Sequence, residues 1–171
     1  MNNTARVFVA IMLVAGVAAC KKKQEVRPTV DPTPTTSTTT EGTDTGGRYS
    51  VGSLDTDACL RQRVVYFDLD RTEIRSEFQA QISCHAEYLR QFPNARVNLE
   101  GNADERGTRE YNLGLGERRG NAVQSALGSS GASSSQLNVV SYGEERPVDR
   151  GHDESAWSKN RRVEIVYTSA N

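Results

Sequence analysis

The chain lacks a dominant charge: 21 Lys and Arg stand against 22 Asp and Glu, a net charge of -1 at pH 7. Without a basic total or a long basic stripe, nucleic acid and anionic membrane surfaces are not expected as general partners. Histidine is scarce as well. Neither His85 nor His152 has metal-type spacing to further ligands, so no metal site is expected. No serine has a suitably placed histidine partner, which leaves no nucleophile and base for a hydrolase. No cofactor is implied either. Gly114 and Gly116, with Gly120, follow no strand in the way a dinucleotide fingerprint requires. No internal repeat is visible.

Long apolar runs are also missing. The one from Val7 to Ala19, behind Arg6, falls short of the roughly 20 residues that span a bilayer. Residues 1–19 therefore read as a signal peptide. They end in Val17-Ala18-Ala19 before Cys20, which looks like a bacterial lipobox with Cys20 as the acylated first residue of the mature chain. Several acyl chains anchor a protein stably where one does not. Lys21, in place of an aspartate after the cysteine, suggests sorting to the outer membrane by resemblance to such lipoproteins. Residues 20–50 are rich in Thr, Pro, Gly and Ser, a mixture that cannot bury enough apolar surface to offset its ordering entropy. They read as a flexible tether with an average reach on the order of 30 Å.

Residues 51–171 have the length of one domain. A strand is expected at Arg63 to Phe67, followed by a helix over Ser76 to Phe92 with Phe78, Ile82, Ala86 and Leu89 at helical spacing and Pro93 as its stop. Val97 and Leu99 alternate with polar residues in a second strand, Arg96 to Glu100. A charged loop then leads into a helix that ends near Gly128. Strands at Leu137 to Tyr142 and Arg162 to Tyr167 complete an α/β layered domain, with a loop containing Pro147 and Trp157 between them. Cys59 and Cys84 would meet oxidising conditions in an exported chain. They are either a disulfide joining the segment before the first strand to the first helix, or a free thiol and a small packing residue.

The loop Asn102 to Gly107, together with Arg119, carries the main functional signal. Tyr111, Leu115, Ala122 and Ala126 line one stripe of the second helix, and Arg119 falls on that stripe. A guanidinium facing inward needs a partner or a ligand, and Asp104 is the expected carboxylate partner. Two readings remain open: a structural ion pair, or a pocket for a zwitterion, in which a carboxylate receives an ammonium and a guanidinium fork holds a carboxylate. A competing pattern is the strand end Asp68-Leu69-Asp70-Arg71-Thr72. It resembles the opening of haloacid-dehalogenase-type phosphatases, where Asp68 would be the nucleophile and Asp70 the acid/base with magnesium. The chain lacks the downstream lysine and acidic pair of that site.

Several motifs in order carry a second, longer resemblance: Tyr66-Phe67-Asp68-Leu69-Asp70, Glu100 to Thr108, Glu110-Tyr111-Asn112, Leu115 to Arg119, Ser141-Tyr142-Gly143, Gly151 to Glu154, and Ser158 to Arg162. Together they resemble the peptidoglycan-associated lipoprotein family over about Val64 to Tyr167. The resemblance implies an OmpA-like two-layer α/β domain with a mixed sheet and no enzymatic activity. It implies non-covalent binding of peptidoglycan through meso-diaminopimelate of the stem peptide. By that resemblance Asp104 accepts the amine and Arg119 pairs with the carboxylate, while Leu69, Asp70, Arg106 and Leu115 line the pocket. Arg161 and Arg162 are either ligand contacts or structural groups beside the last strand. The same resemblance implies an outer-membrane lipid anchor, a TolB-like periplasmic propeller partner within the Tol-Pal system, and a role in cell division. Asn102 stands where many members have His, Gly120 where Ala is common, and the Cys59 and Cys84 pair is not typical.

Overall fold

The computed structural model describes residues 47–171. The signal peptide at 1–19, the lipidation of Cys20 and most of the tether lie outside the described residues. The packed region reaches back further than Val51. Tyr49, within the stretch assigned to the tether, is 5% exposed and packs its ring 6.0 Å from that of Tyr88. Its main chain bonds to the Gln91 side chain as well, so an aromatic anchor rather than a composition shift sets this edge of the fold.

Elements follow in the order α1 (Ser53–Thr56), β1 (Val64–Tyr66), α2 (Gln79–Gln91, entered through a 3-10 turn at Ser76–Phe78), β2 (Arg96–Asn102), α3 (Arg109–Ser129), β3 (Leu137–Gly143), α4 (Glu154–Asn160) and β4 (Arg162–Ser169). The four strands form one mixed sheet in the order β1-β4-β2-β3. β4 is antiparallel to both β1 and β2, whereas β2 and β3 are parallel. Parallel neighbours need a crossover, which α3 supplies. Ile165 and Val139 flank Leu99 in register.

The core lies between the sheet and helices α2 and α3. Val65, Phe67, Val97, Leu99, Val163 and Ile165 meet Ile82, Ala86, Leu89, Val123 and Leu127 there. Ile82, Ala86 and Leu89 of the expected stripe are buried on α2, Phe78 is half-buried in the 3-10 turn before it, and α2 also contributes Tyr88 and His85. The α3 stripe differs from the expected one. Leu115 and Arg119 do face inward, but the other buried positions are Asn112, Gly116, Gly120, Val123 and Leu127, while Tyr111 is exposed. The reason is contact distance. A Cβ on Gly116 would stand 2.4 Å from Ser141 Oγ, and one on Gly101 would stand 1.9 Å from the Gly116 carbonyl oxygen, so helix and strand backbones nearly touch. These glycines are packing surfaces and form no nucleotide loop.

Helix α4 occupies what the sequence suggested was loop. Asp153 caps it by accepting from the Ala156 N–H at 3.0 Å. Cys59 and Cys84 are joined, with sulfurs 2.02 Å apart, so the segment before β1 is stapled to α2. Among the described residues no helix is long and apolar enough to cross a membrane.

Candidate functional site

Strand β2 leaves the regular ladder with a register shift between Gly101 and Asn102. Such irregularities re-aim side chains. Here the chain turns so that Ala103 N–H donates to the Gly143 carbonyl and Asp104 points back into the molecule, 4% exposed. Asp104 Oδ1 accepts from the Arg106 backbone N–H at 3.1 Å, a side-chain turn that fixes the carboxylate. Gly107 follows with φ +112°, and Thr108 caps α3 by accepting from the Tyr111 N–H. The loop and the helix it starts are thus one rigid piece.

Arg119 comes from the second turn beyond Asn112 and is 0% exposed. Its guanidinium is clasped by three backbone carbonyls: Nε donates to Arg71 at 2.9 Å, Nη1 to Asn102 at 2.9 Å, and Nη2 to Asp68 at 3.0 Å. It stacks over the Phe67 ring, 5.3 Å from the centroid. Burial, joined by repulsion from Arg161, pushes its pKa down to about 10, so it remains a cation at neutral pH. The expected Asp104–Arg119 ion pair is absent from the ion pairs of the described residues. Asp104 instead pairs with Arg106, Nη2 to Oδ2 at 2.7 Å, and with Arg161, Nη1 to Oδ2 at 3.2 Å. Burial alone would raise the Asp104 pKa. Hydrogen bonds from Arg106 and Arg161 outweigh burial and hold the carboxyl below its ordinary range.

The loop Asp68 to Arg71 closes the other side. Asp70 has φ +59°, a left-handed conformation that Asp tolerates better than most residues, and its carboxylate accepts from the Tyr111 hydroxyl. Asp68 faces Arg75 instead, at 3.8 Å. The two carboxylates of the phosphatase-like pattern therefore serve different neighbours, and the backbone carbonyls of Asp68 and Arg71 clasp Arg119.

Leu69, Asp70, Asp104, Arg106, Leu115 and Arg119 come together around one narrow cleft of about 20 Å³, with Ala103, Tyr111, Asn112 and Arg161. Sequence reasoning placed Tyr111 on the inward stripe, passed over Asn112 and left Arg161 undecided. Asn112 follows the Thr108 cap by four residues, a spacing that brings it back to the loop. Arg161 is 6% exposed and also donates to the Phe67 carbonyl at 3.1 Å, tying β4 to the end of β1. A larger groove of about 340 Å³ runs between Arg109, Leu113 and Tyr142, but none of its lining residues is buried.

Residues 66–161 match the model of the OmpA family. The chain is 47% identical over 123 residues to the peptidoglycan-associated lipoprotein of Haemophilus influenzae, which covers 72% of this chain and 78% of that one. The chain belongs to the peptidoglycan-associated lipoproteins of the OmpA family. Its likeness to the lipoprotein of that name from Pseudomonas putida is 52% identity over 115 residues, covering 67% of this chain and 69% of the other. The crystal structure of the peptidoglycan-associated lipoprotein from Burkholderia pseudomallei superposes with a TM-score of 0.66 at 44% identity, over 67% of this chain and 98% of that one. The C-terminal domain of Helicobacter pylori MotB shares the fold, with a TM-score of 0.57 at 23% identity over 62% of this chain and 84% of that one. As a peptidoglycan-associated lipoprotein of this family the chain is not an enzyme, and the phosphatase alternative finds no support among its relatives.

Proposed function

We propose that the protein binds peptidoglycan non-covalently by receiving the zwitterionic end of meso-diaminopimelate in the cleft of Asp104 and Arg119. One observation carries the reading. Arg119 is a buried cation held by three carbonyl oxygens and by no carboxylate among the described ion pairs, with Asp104 and Asp70 acting on it only from beyond ion-pair distance, so it is available to pair with a ligand carboxylate. Asp104 supplies the complementary acceptor for an ammonium. Leu69 and Leu115 flank the pair and suit the apolar methylenes between the two ends of the ligand. The names of the relatives agree with a wall ligand.

The chain is acylated at Cys20 and held on the periplasmic face of the outer membrane, with the Thr- and Pro-rich segment after Cys20 as tether and the folded part engaging the wall. A TolB-like periplasmic protein is its partner in the Tol-Pal system, and through it the chain links outer membrane to wall during cell division. The test is co-sedimentation of the detergent-solubilised full chain with purified diaminopimelate-type wall. Asp104→Asn is expected to weaken binding about 10- to 100-fold, the worth of one charge-assisted hydrogen bond, with the far-ultraviolet spectrum unchanged. Equal pelleting of parent and folded variant would place the binding site elsewhere.

A further inference from the structure

The acceptor that the ligand's ammonium needs is already taken. Asp104 Oδ1 receives both the backbone N–H and the side-chain Nε of Arg106, each at 3.1 Å, and Oδ2 receives Arg106 Nη2 at 2.7 Å and Arg161 Nη1 at 3.2 Å. With four donors on two oxygens, a carboxylate has no free lone pair facing the cleft. The cleft's volume of about 20 Å³ is also far smaller than the roughly 300–1,000 Å³ of ligand pockets. One of the bound groups has to leave before an ammonium enters.

The two guanidinium groups differ in their freedom. Arg161 has a side chain 7% exposed and is held at once by the Phe67 carbonyl, Asp104 and Glu154. Arg106 has a side chain 33% exposed and, besides Asp104, already touches two groups outside the ammonium position. Its guanidinium carbon lies 4.2 Å from the centroid of the Trp157 ring, and Nη2 is 3.6 Å from Glu154 Oε2. The indole is itself fixed, donating from Nε1 to Glu105 Oε1 at 2.8 Å, and Glu105 is gripped by His152. A stacked, acid-flanked platform beside the cleft thus already supports Arg106, the more exposed of the two cations on Asp104.

We propose that Arg106 is a built-in counter-ion that occupies the ammonium position of the cleft, and that an amine-bearing ligand enters by releasing the Arg106 guanidinium from Asp104 while the Trp157 face and Glu154, which it already touches, retain it. Binding is then an exchange of one cation for another on Asp104. The exchange favours a primary ammonium that arrives with a carboxylate for Arg119, because an amine alone would gain no more than Arg106 gives up. The device selects zwitterions over simple amines such as free polyamines or lysine side chains. This inference rests on the zwitterion reading of the cleft.

The experiment uses the detergent-solubilised full chain and a disaccharide tripeptide ending in meso-diaminopimelate as probe. Parent, Arg106→Met and Asp104→Asn are compared by equilibrium titration. Arg106→Met keeps the length of the stem and removes the competing charge, and it is expected to bind about tenfold tighter than parent, one ion-pair's worth of relieved competition. Weaker or equal binding by folded Arg106→Met, with the parent still binding, would overturn the exchange while leaving the zwitterion reading intact. Absence of binding by parent and Arg106→Met alike would overturn the zwitterion reading, and the exchange with it. A second measurement needs no variant. The Nε–H resonance of Arg106, assigned by nitrogen-15 labelling, is expected to be protected from solvent exchange in the free chain and to lose that protection when the probe saturates the cleft. An unchanged resonance at saturation would show Arg106 in place with ligand bound and contradict the proposal.

Discussion

Gly101 on β2 and Gly116 on α3 face each other at a distance that admits no side chain, since a Cβ on Gly101 would stand 1.9 Å from the Gly116 carbonyl oxygen. This contact fixes the height of α3 above the sheet, and hence the depth at which Arg119, one turn further on, meets the carbonyls of Asp68, Arg71 and Asn102. Gly101→Ala is expected to cost about 3 kcal/mol or more, because the obstacle is the Gly116 backbone and has to move as a whole. Urea unfolding checks it, and a change below about 1 kcal/mol would show that the helix can lift without loss.

Gly120 behaves differently. Alanine there would gain up to about 1 kcal/mol of helix propensity, but its Cβ would stand 2.5 Å from Val139 Cγ1, the end of a side chain. Gly120→Ala is therefore expected to destabilise this chain slightly, and Gly120→Ala with Val139→Ala to show a favourable coupling of about 1 kcal/mol or more in a double-mutant cycle. Strict additivity would remove the steric account.

His85 is fully buried with both ring nitrogens engaged, Nε2 at 3.0 Å from the Gln62 carbonyl and Nδ1 at 2.9 Å from the Tyr167 hydroxyl. A carbonyl only accepts, so Nε2 carries the proton and Nδ1 accepts from Tyr167. Burial lowers its pKa to about 4. Since the unfolded chain binds this proton near pH 6.5 and the folded chain does not, the stabilisation is complete above pH 6.5 and is lost as pH falls toward 4, by at most about 3 kcal/mol. His152 works with the opposite sign, because its hydrogen bond to Glu105 raises its pKa and stabilises the folded chain at lower pH. In a His152→Gln background, stability between pH 6.5 and 4.5 should fall with a slope that His85→Gln removes. A flat profile in that background would contradict a neutral buried His85.

The Cys59–Cys84 disulfide closes a loop across a sequence separation of 25 and pins the segment containing α1 to α2. Its reduction is expected to cost about 3 to 4 kcal/mol, read as a lower urea midpoint in reductant. Thiol labelling of the denatured, non-reduced chain is expected to find neither Cys59 nor Cys84 reactive, and labelling of both would refute the bond.

Much of the fold was legible because local pattern and tertiary demand agree. The α2 stripe of Ile82, Ala86 and Leu89 is buried as its spacing implies, and Val97 and Leu99 alternate inward on β2. The pattern failed where packing distance overrode hydropathy. On α3 the fully buried positions include Gly116 and Gly120, whereas Ala122 is half-buried and Ala126 packs at the margin of the core, because close backbone approach selects for lack of bulk, which hydropathy does not register. α4 escaped notice since 7 residues are too few for a period, and only the Asp153 cap announces it. In the cleft, the residues Leu69, Asp70, Asp104, Arg106, Leu115 and Arg119 are gathered from three segments. What the sequence could not reveal was the pairing. Asp104 meets Arg106, two residues away, and Arg161, 57 residues away, while Arg119 meets backbone carbonyls that have no sequence signature.

The most direct test of the account compares two walls that differ at one carbon. Lysine-type peptidoglycan carries the side-chain amine of the stem's third residue but lacks the carboxylate that meso-diaminopimelate places beside it. If Asp104 and Arg119 together read a zwitterion, the full chain in detergent will sediment with diaminopimelate-type wall and remain in solution with lysine-type wall at the same concentration. Equal sedimentation with both would mean that Arg119 is a structural cation and that its buried charge reads nothing.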